Sequence, residues 1–331
     1  MFWPGRKLRI VRTFPHWQGL QFMKRSDVAD VRKVADGLTF LEGPRWHNNA
    51  LWFSDFYTNR VLRLEEGTAV PQVVCEVPNQ PSGLGFDTQG RLLVVSMTDR
   101  RVMRLERGEL VEHADLSALA QGHCNDMVVM ADGSAYVGNH GRCDGPDQQY
   151  SPTRLIRIDA DGSARAVGAE LNFPNGMVVT DDGGTLLVAE SLASRISAFT
   201  IGAGGDLVDR RVWAALGPVP PVTTFSAAFA GGGLVPDGIA LDVEGALWVA
   251  VANEGAVRVT PEGEIVQTIE VPGESVFAVA LGGPALRTLY LCVAPPLASY
   301  NPHEHPRARM LAYEVEVKGV GGPRSQNSAN R

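Results

Sequence analysis

A turn–strand–turn–strand outline recurs six times along the 331 residues, and self-similarity at a fixed period restricts a fold more than any local propensity. The copies read EGPRWHNNALWFSDFYTNRVLRL, PSGLGFDTQGRLLVVSMTDRRVMRL, CNDMVVMADGSAYVGNHG, PNGMVVTDDGGTLLVAESLASRISAF, PDGIALDVEGALWVAVANEGAVRV and the weaker SVFAVALGGPALRTLYLCVAPP. Turns taken at Pro44, Pro81, Cys124, Pro174, Pro236 and Val276 lie 37 to 62 residues apart. Propeller blades recur at roughly 40–50 residues. The longer intervals carry inserted loops, CDGPDQQYSP after the third turn and GPVPPVTTFSAAFAGGG after the fourth.

Between the apolar runs sit DTQG, MADG, TDDGG and DVEG, which is hairpin chemistry. Strong helical periodicity is absent. The expected fold is therefore all-β: a six-bladed β-propeller of four-stranded blades around a central channel. The last strand, ARMLAYEVEV, is expected to share a blade with a strand from the N-terminal region and so close the ring. Residues 34–317 are assigned to the propeller, 1–33 to an N-terminal extension of uncertain structure, and 318–331 to a disordered tail.

Composition narrows the partners. A net charge of −7 gives no basic footprint for nucleic acid. No run of about 18 apolar residues marks a membrane span, and the basic start MFWPGRKLRIVRTFPHW lacks the apolar stretch of a secretory signal. Cys75, Cys124, Cys143 and Cys292 are far apart, which argues against a zinc ribbon or disulfide scaffold. The expectation is a cytoplasmic monomer or homodimer.

The residues that follow the six turns are Arg45, Ser82, Asn125, Asn175, Asp237 and Phe277, with Glu42 three residues before Arg45. Equivalent positions of successive blades face one axis. Carboxylates and amides converging there repel or stay unpaired unless a cation joins them. Oxygen donors suit calcium, magnesium or manganese, and zinc also accepts carboxylates. Glu42 and Asp237 offer charge, and Asn175 a neutral oxygen. Asn-Gly and Asp-Gly are also ordinary turn dipeptides. Here, however, Asp132-Gly133 and Asp182-Gly183 already occupy hairpins, while Asn175 and Asp237 precede an apolar strand.

EGPRW, CND, FPNGMVV and VPDGIALDVEGALWVA, in this order and repeat phase, resemble the gluconolactonase and senescence-marker-protein family, which includes regucalcin. The similarity runs from about Gly37 to Val317. It implies a six-bladed propeller with one divalent metal in the channel, calcium or zinc first, manganese or magnesium otherwise. It implies Glu42, Asn175 and Asp237 as ligands, and an Asn125–Asp126 pair whose asparagine faces metal and substrate. It implies hydrolysis of a small lactone, such as a sugar-acid lactone, by a polarised carbonyl and an activated water. Asp237 is then the candidate base and Asp126 its alternative, with Asn125, His123 and Arg45 as substrate contacts.

One departure bears on the substrate. Sugar-lactone members carry an arginine two residues before the asparagine, whereas this chain has His123, and an imidazole does not reproduce a guanidinium fork. Two other readings remain at this level: a metal-stabilised binding propeller without catalysis, and a related propeller esterase or phosphotriesterase. His140 is a further candidate at the channel border, and Cys124 reads as a buried thiol. The HEH of His303–His305 lacks the HExxH spacing and reads as a solvated loop. Trp46, Trp52 and Trp248 are expected to pack between blades.

Overall fold

The computed structural model describes residues 24–26, 31–143, 148–221, 223–296 and 299–321. Six antiparallel sheets form the blades. The first contains Leu41–His47, Ala50–Asp55, Arg60–Glu65 and Gln72–Glu76. The second contains Pro81–Phe86, Leu92–Ser96, Arg101–Glu106 and Glu109–Asp115, and the third Cys124–Val129, Ala135–Asn139, Thr153–Ile158 and Ala164–Leu171. Pro174–Val179, Thr185–Glu190, Arg195–Ile201 and Leu207–Ala215 make the fourth. The fifth is Pro236–Leu241, Leu247–Val251, Ala256–Val259 and Ile265–Ile269, extended by Lys24–Ser26 running parallel at its outer edge.

The sixth blade closes the ring as expected. Ser275–Gly282, Thr288–Ala294 and Ala308–Glu314 are completed on the outside by Arg32–Leu38, antiparallel to Ala308–Glu314. The expected boundary at residue 34 thus falls inside a strand. At the other end, residues 318–321 pack on the propeller rather than lying in a disordered tail. The amide of Val243 donates to Lys318 O (3.0 Å), that of Gly319 to Leu286 O (2.8 Å) and that of Val320 to Leu241 O (3.3 Å). The rest of the expected tail, 322–331, and residues 1–23 and 27–30 of the expected extension lie outside the described residues.

The turns explain the hairpins. Gly90, Gly133, Gly183 and Gly245 adopt φ of +75°, +85°, +71° and +79°, a region open to glycine at no steric cost. The aspartates ahead of them fix each turn by accepting from amides: Asp87 from Gln89 and Arg91, Asp132 from Ser134, Asp182 from Gly184, and Asp242 from Glu244. Between blades, Trp248 is fully buried, Trp46 stacks on Tyr290 (5.8 Å, 13°) and Trp52 stands edge-on to Phe86 (5.2 Å). All three tryptophans fill blade interfaces, as expected. Among the described residues no helix is long and apolar enough to cross a membrane.

The innermost strands carry the feature that builds the site. Leu41, Pro81, Cys124, Pro174, Pro236 and Ser275 each pair with the last residue of the following strand, and each register then slips by one extra residue. This is a β-bulge, which re-aims a side chain and increases local twist. The pairing also corrects the phase of two repeats. Leu41, not Pro44, and Ser275, not Val276, are the equivalents of Pro81, Cys124, Pro174 and Pro236.

Candidate functional site at the mouth of the channel

With that register, the level just after the paired residue is occupied by Glu42, Ser82, Asn125, Asn175, Asp237 and Val276. Four of the predicted residues, Glu42, Asn125, Asn175 and Asp237, therefore share one level of the ring, and all four are buried. Arg45 does not belong to this level. The next level is Gly43, Gly83, Asp126, Gly176, Gly238 and Phe277. Its glycines are needed because neighbouring inner strands nearly touch there. A Cβ on Gly83 would lie 2.8 Å from Asp126 Cα, and one on Gly176 2.7 Å from Gly238 Cα.

A chain of hydrogen bonds holds the amides. Ser82 Oγ donates to Asn125 Oδ1 (3.1 Å), Asn125 Nδ2 to Asn175 Oδ1 (3.0 Å) and Asn175 Nδ2 to Ser191 Oγ (3.2 Å). Ser191 Oγ in turn donates to the carbonyl of Pro236, the residue before Asp237 (2.7 Å). Ser191 opens the short 3-10 turn Ser191–Ala193 that ends the second strand of blade four. Nothing in its local pattern distinguishes it from other serines.

The carboxylates are not so well served. Burial, followed by the charges of Asp237 and Asp126, pushes Glu42 well above the usual carboxylate range. Burial and then Asp126 do the same to Asp237, only partly offset by Asn175. Asp237 Oδ1 is buried with no hydrogen-bond partner among the described residues. Such an orphaned acceptor is costly.

Asp126 is the exception. Its Oδ1 accepts from Arg45 Nη2 (2.8 Å) and from the Met127 amide (2.8 Å). Arg45 also donates to Met127 O (2.6 Å) and Pro44 O (2.9 Å). This pair lies below the oxygen cluster. Beyond it the channel widens into a cavity of about 420 Å³ walled by apolar residues such as Trp46, Met130, Met177, Val179, Leu241 and Leu281.

The two histidines stand near one another at the start of blade three. His123 and His140 have ring centroids 6.3 Å apart, and the His140 amide donates to His123 O (2.9 Å). Burial lowers both imidazoles, His140 strongly, so they are neutral near pH 7. Cys124 is buried, its thiol pushed up to about 12 by burial, which leaves it inert. Glu304 separates His303 and His305 on an exposed loop, as expected.

The donor set fits a hard divalent cation: two carboxylates that repel one another, an unpartnered acceptor and amide oxygens at one level. Among the described residues no three His, Cys, Asp or Glu side chains form a metal-binding group, so any such ion relies on the amides and on water as well.

Comparison with known proteins bears on this geometry. Residues 40–295 match the family profile described as the SMP-30/Gluconolactonase/LRE-like region. Pentonolactonase XacC of Haloferax volcanii is 27% identical over 256 residues, covering 76% of this chain and 81% of its own. Zebrafish (Danio rerio) regucalcin is 26% identical over 266 residues, covering 76% and 82%. Among solved structures, a calcium-binding regucalcin from Agrobacterium tumefaciens superposes with a TM-score of 0.73 at 20% identity, covering 92% of this chain and 99% of that one. A match over most of the propeller and the same fold along nearly the whole described chain lead to one conclusion: this protein belongs to the SMP-30/gluconolactonase/LRE-like family.

Proposed function

We propose that the protein is a lactonase that opens a small lactone at the channel mouth with the help of a divalent cation. The observation that carries this reading is the convergence of Glu42, Asn125, Asn175 and Asp237 on one level of the ring, with two mutually repelling carboxylates left unneutralised. A scaffold has no use for such a cluster. The names of relatives such as pentonolactonase and the 6-deoxy-6-sulfogluconolactonase of Pseudomonas putida support lactone as the substrate class.

Glu42, Asn175 and Asp237 would hold the cation. When bound, a divalent ion supplies positive charge that polarises a carbonyl and stabilises the developing oxyanion. The chain supplies the rest. The Asn125 amide, fixed between Ser82 and Asn175, orients the lactone. A proton must leave the attacking water, and the acyl–oxygen bond must break with that proton delivered to the departing ring oxygen. Asp237 is the acceptor best suited to carry it, because its Oδ1 has no hydrogen-bond partner among the described residues. Asp126 suits the task less, since its Oδ1 is already engaged by Arg45 and by the Met127 amide. His123 stands at the border of the mouth as a neutral contact for substrate.

The test is hydrolysis of a lactone panel in weakly buffered indicator by protein as purified, after EDTA, and after return of calcium, zinc, manganese or magnesium. Activity lost to the chelator and restored by one ion is expected. Turnover that EDTA leaves untouched would overturn the cation's role, and no turnover of any lactone by cation-loaded protein would overturn the reading.

A further inference from the structure

Resting on the lactonase reading, we infer that this mouth selects lactones bearing an apolar alkyl or aryl substituent over polyhydroxylated ones. The oxygen cluster is flanked by rings. Phe173 immediately precedes Pro174–Asn175, and Phe277 occupies the level at which four other blades have glycine. Phe40 packs against Phe277 (4.7 Å) and Phe56 (5.3 Å) on that side. On the other side Phe173 is the hub of an aromatic wall. It stacks on His140 (4.3 Å, 12°) and meets Tyr150 (5.2 Å, 82°) and Phe225 (5.0 Å, 72°) edge-on.

The wall is held in place at a cost. Phe173 has φ of +58°, a left-handed conformation that is an outlier for a bulky residue and persists only where its surroundings fix it. They do so here. The Phe173 carbonyl accepts from the amide of Ser191 (3.1 Å), the same residue whose hydroxyl accepts from Asn175. Strain in the backbone and the position of a site amide are thus tied to one serine.

Tyr150 and Phe225 come from the two insertions that lengthen the repeat. They are bound to one another through Thr223, which accepts from the Tyr150 amide (2.8 Å) and donates its hydroxyl to the Tyr150 carbonyl (2.6 Å). Phe225 opens the helix Phe225–Ala230, capped by Thr224. Both insertions therefore add rings to the wall built on Phe173, two residues from Asn175.

Polar groups available for a polyol are few by contrast. Ser82, Asn125, Asn175 and Ser191 bond one another and Pro236 O, which leaves the second amide hydrogen of Asn125 for the lactone itself and little for further hydroxyls. A hydroxylated substrate leaving water here would lose hydrogen bonds without replacing them. An alkyl or aryl group would instead gain roughly fourfold in apparent affinity per buried methylene.

The experiment measures kcat/KM of the cation-loaded, full-length protein on γ-butyrolactone, glucono-δ-lactone, γ-nonalactone and dihydrocoumarin. The nonalactone and dihydrocoumarin are expected to exceed gluconolactone by about tenfold or more. Phe225→Ala is expected to reduce the nonalactone-to-butyrolactone ratio about tenfold. Phe173→Gly, which removes the ring while permitting the left-handed backbone, should do the same. Gluconolactone as good as or better than the apolar pair, or variants that leave the ratio unchanged, would overturn the inference while leaving the lactonase reading intact. If no lactone turns over, calorimetric titration with a hexyl δ-lactam and with gluconolactam reads the mouth directly. Binding of the hexyl compound alone upholds the inference, and binding of gluconolactam or of neither overturns it.

Discussion

Glu190 and Asp237 are both buried carboxylates close to the start of an innermost strand, and their surroundings treat them in opposite ways. Glu190 is fully buried and saturated: it accepts from Arg195 Nε (2.8 Å), Arg210 Nη2 (2.6 Å), Ser197 Oγ (2.5 Å) and the Asn172 amide (2.8 Å). Burial alone would push it up, but these bonds outweigh burial and hold it below the usual range. Asp55, at the same position in blade one, is similarly served by Thr39, the Phe40 amide and Thr58. Asp237 has an oxygen with no hydrogen-bond partner among the described residues and a carboxyl pushed well above the usual range. The fold can satisfy a buried carboxylate within a few residues of the axis and does not do so at the level of Glu42 and Asp237. The difference separates acids that hold the blade together from acids kept for a ligand.

Substitutions can break that contrast. The largest effect belongs to Asp237→Asn, which keeps the shape and removes the charge. It should lower kcat/KM about a thousandfold while circular dichroism stays that of the parent. A variant with near-parental turnover would remove Asp237 from the site. Glu190→Ala should act on stability instead, costing about 2–3 kcal/mol by urea denaturation. That is below the usual figure for a broken buried pair, because Arg195 and Arg210 are partly exposed. Its turnover per folded molecule should remain close to parental. A loss of activity with unchanged stability would reverse the assignment of the two acids.

A subtler effect is expected from Glu42→Gln in chelated protein. A carboxyl raised in the folded state binds more protons than in the unfolded chain, so its contribution falls as pH rises from the ordinary carboxylate value through the raised one. Removing the charge should raise Tm at pH 7 by on the order of 2 °C, with the gain shrinking toward pH 5. Glu190 predicts the reverse, since stability from a lowered carboxyl is lost as pH falls through its folded value. A Gln variant less stable than the parent at pH 7 would contradict the unneutralised cluster. The smallest change should come from Arg60→Ala. Its ion pair with Glu76 (3.3 Å) is exposed at both ends, and its loss should shift urea stability by about 0.5 kcal/mol or less.

The repeat, the hairpin turns and the closing strand were legible because each depends on short-range chemistry: Asp and Gly at fixed places in a turn, and alternating burial along a strand. The phase of the first blade was not. Matching prolines aligned Pro44 with Pro81, Pro174 and Pro236, whereas hydrogen-bond pairing aligns Leu41 with them. Arg45 was consequently put at the level that Glu42 occupies, and Glu42 was read as a donor set three residues ahead of it rather than as the equivalent of Asn175 and Asp237. Arg45 instead ties Asp126 to the strand below the cluster. Ser191 and Phe173 carried no local signal, since each matters through a partner on another strand or loop.

The amino-acid sequence by itself determined the number of blades, the hairpins between their strands and the residue types at each inner turn, because these follow from local turn chemistry and repeat period. Tertiary structure alone decided which of those residues share a level on the axis, which carboxylates are satisfied and which rings meet at the mouth. These depend on strand register and on contacts between loops far apart in the chain, and a bulge of one residue is enough to redirect them.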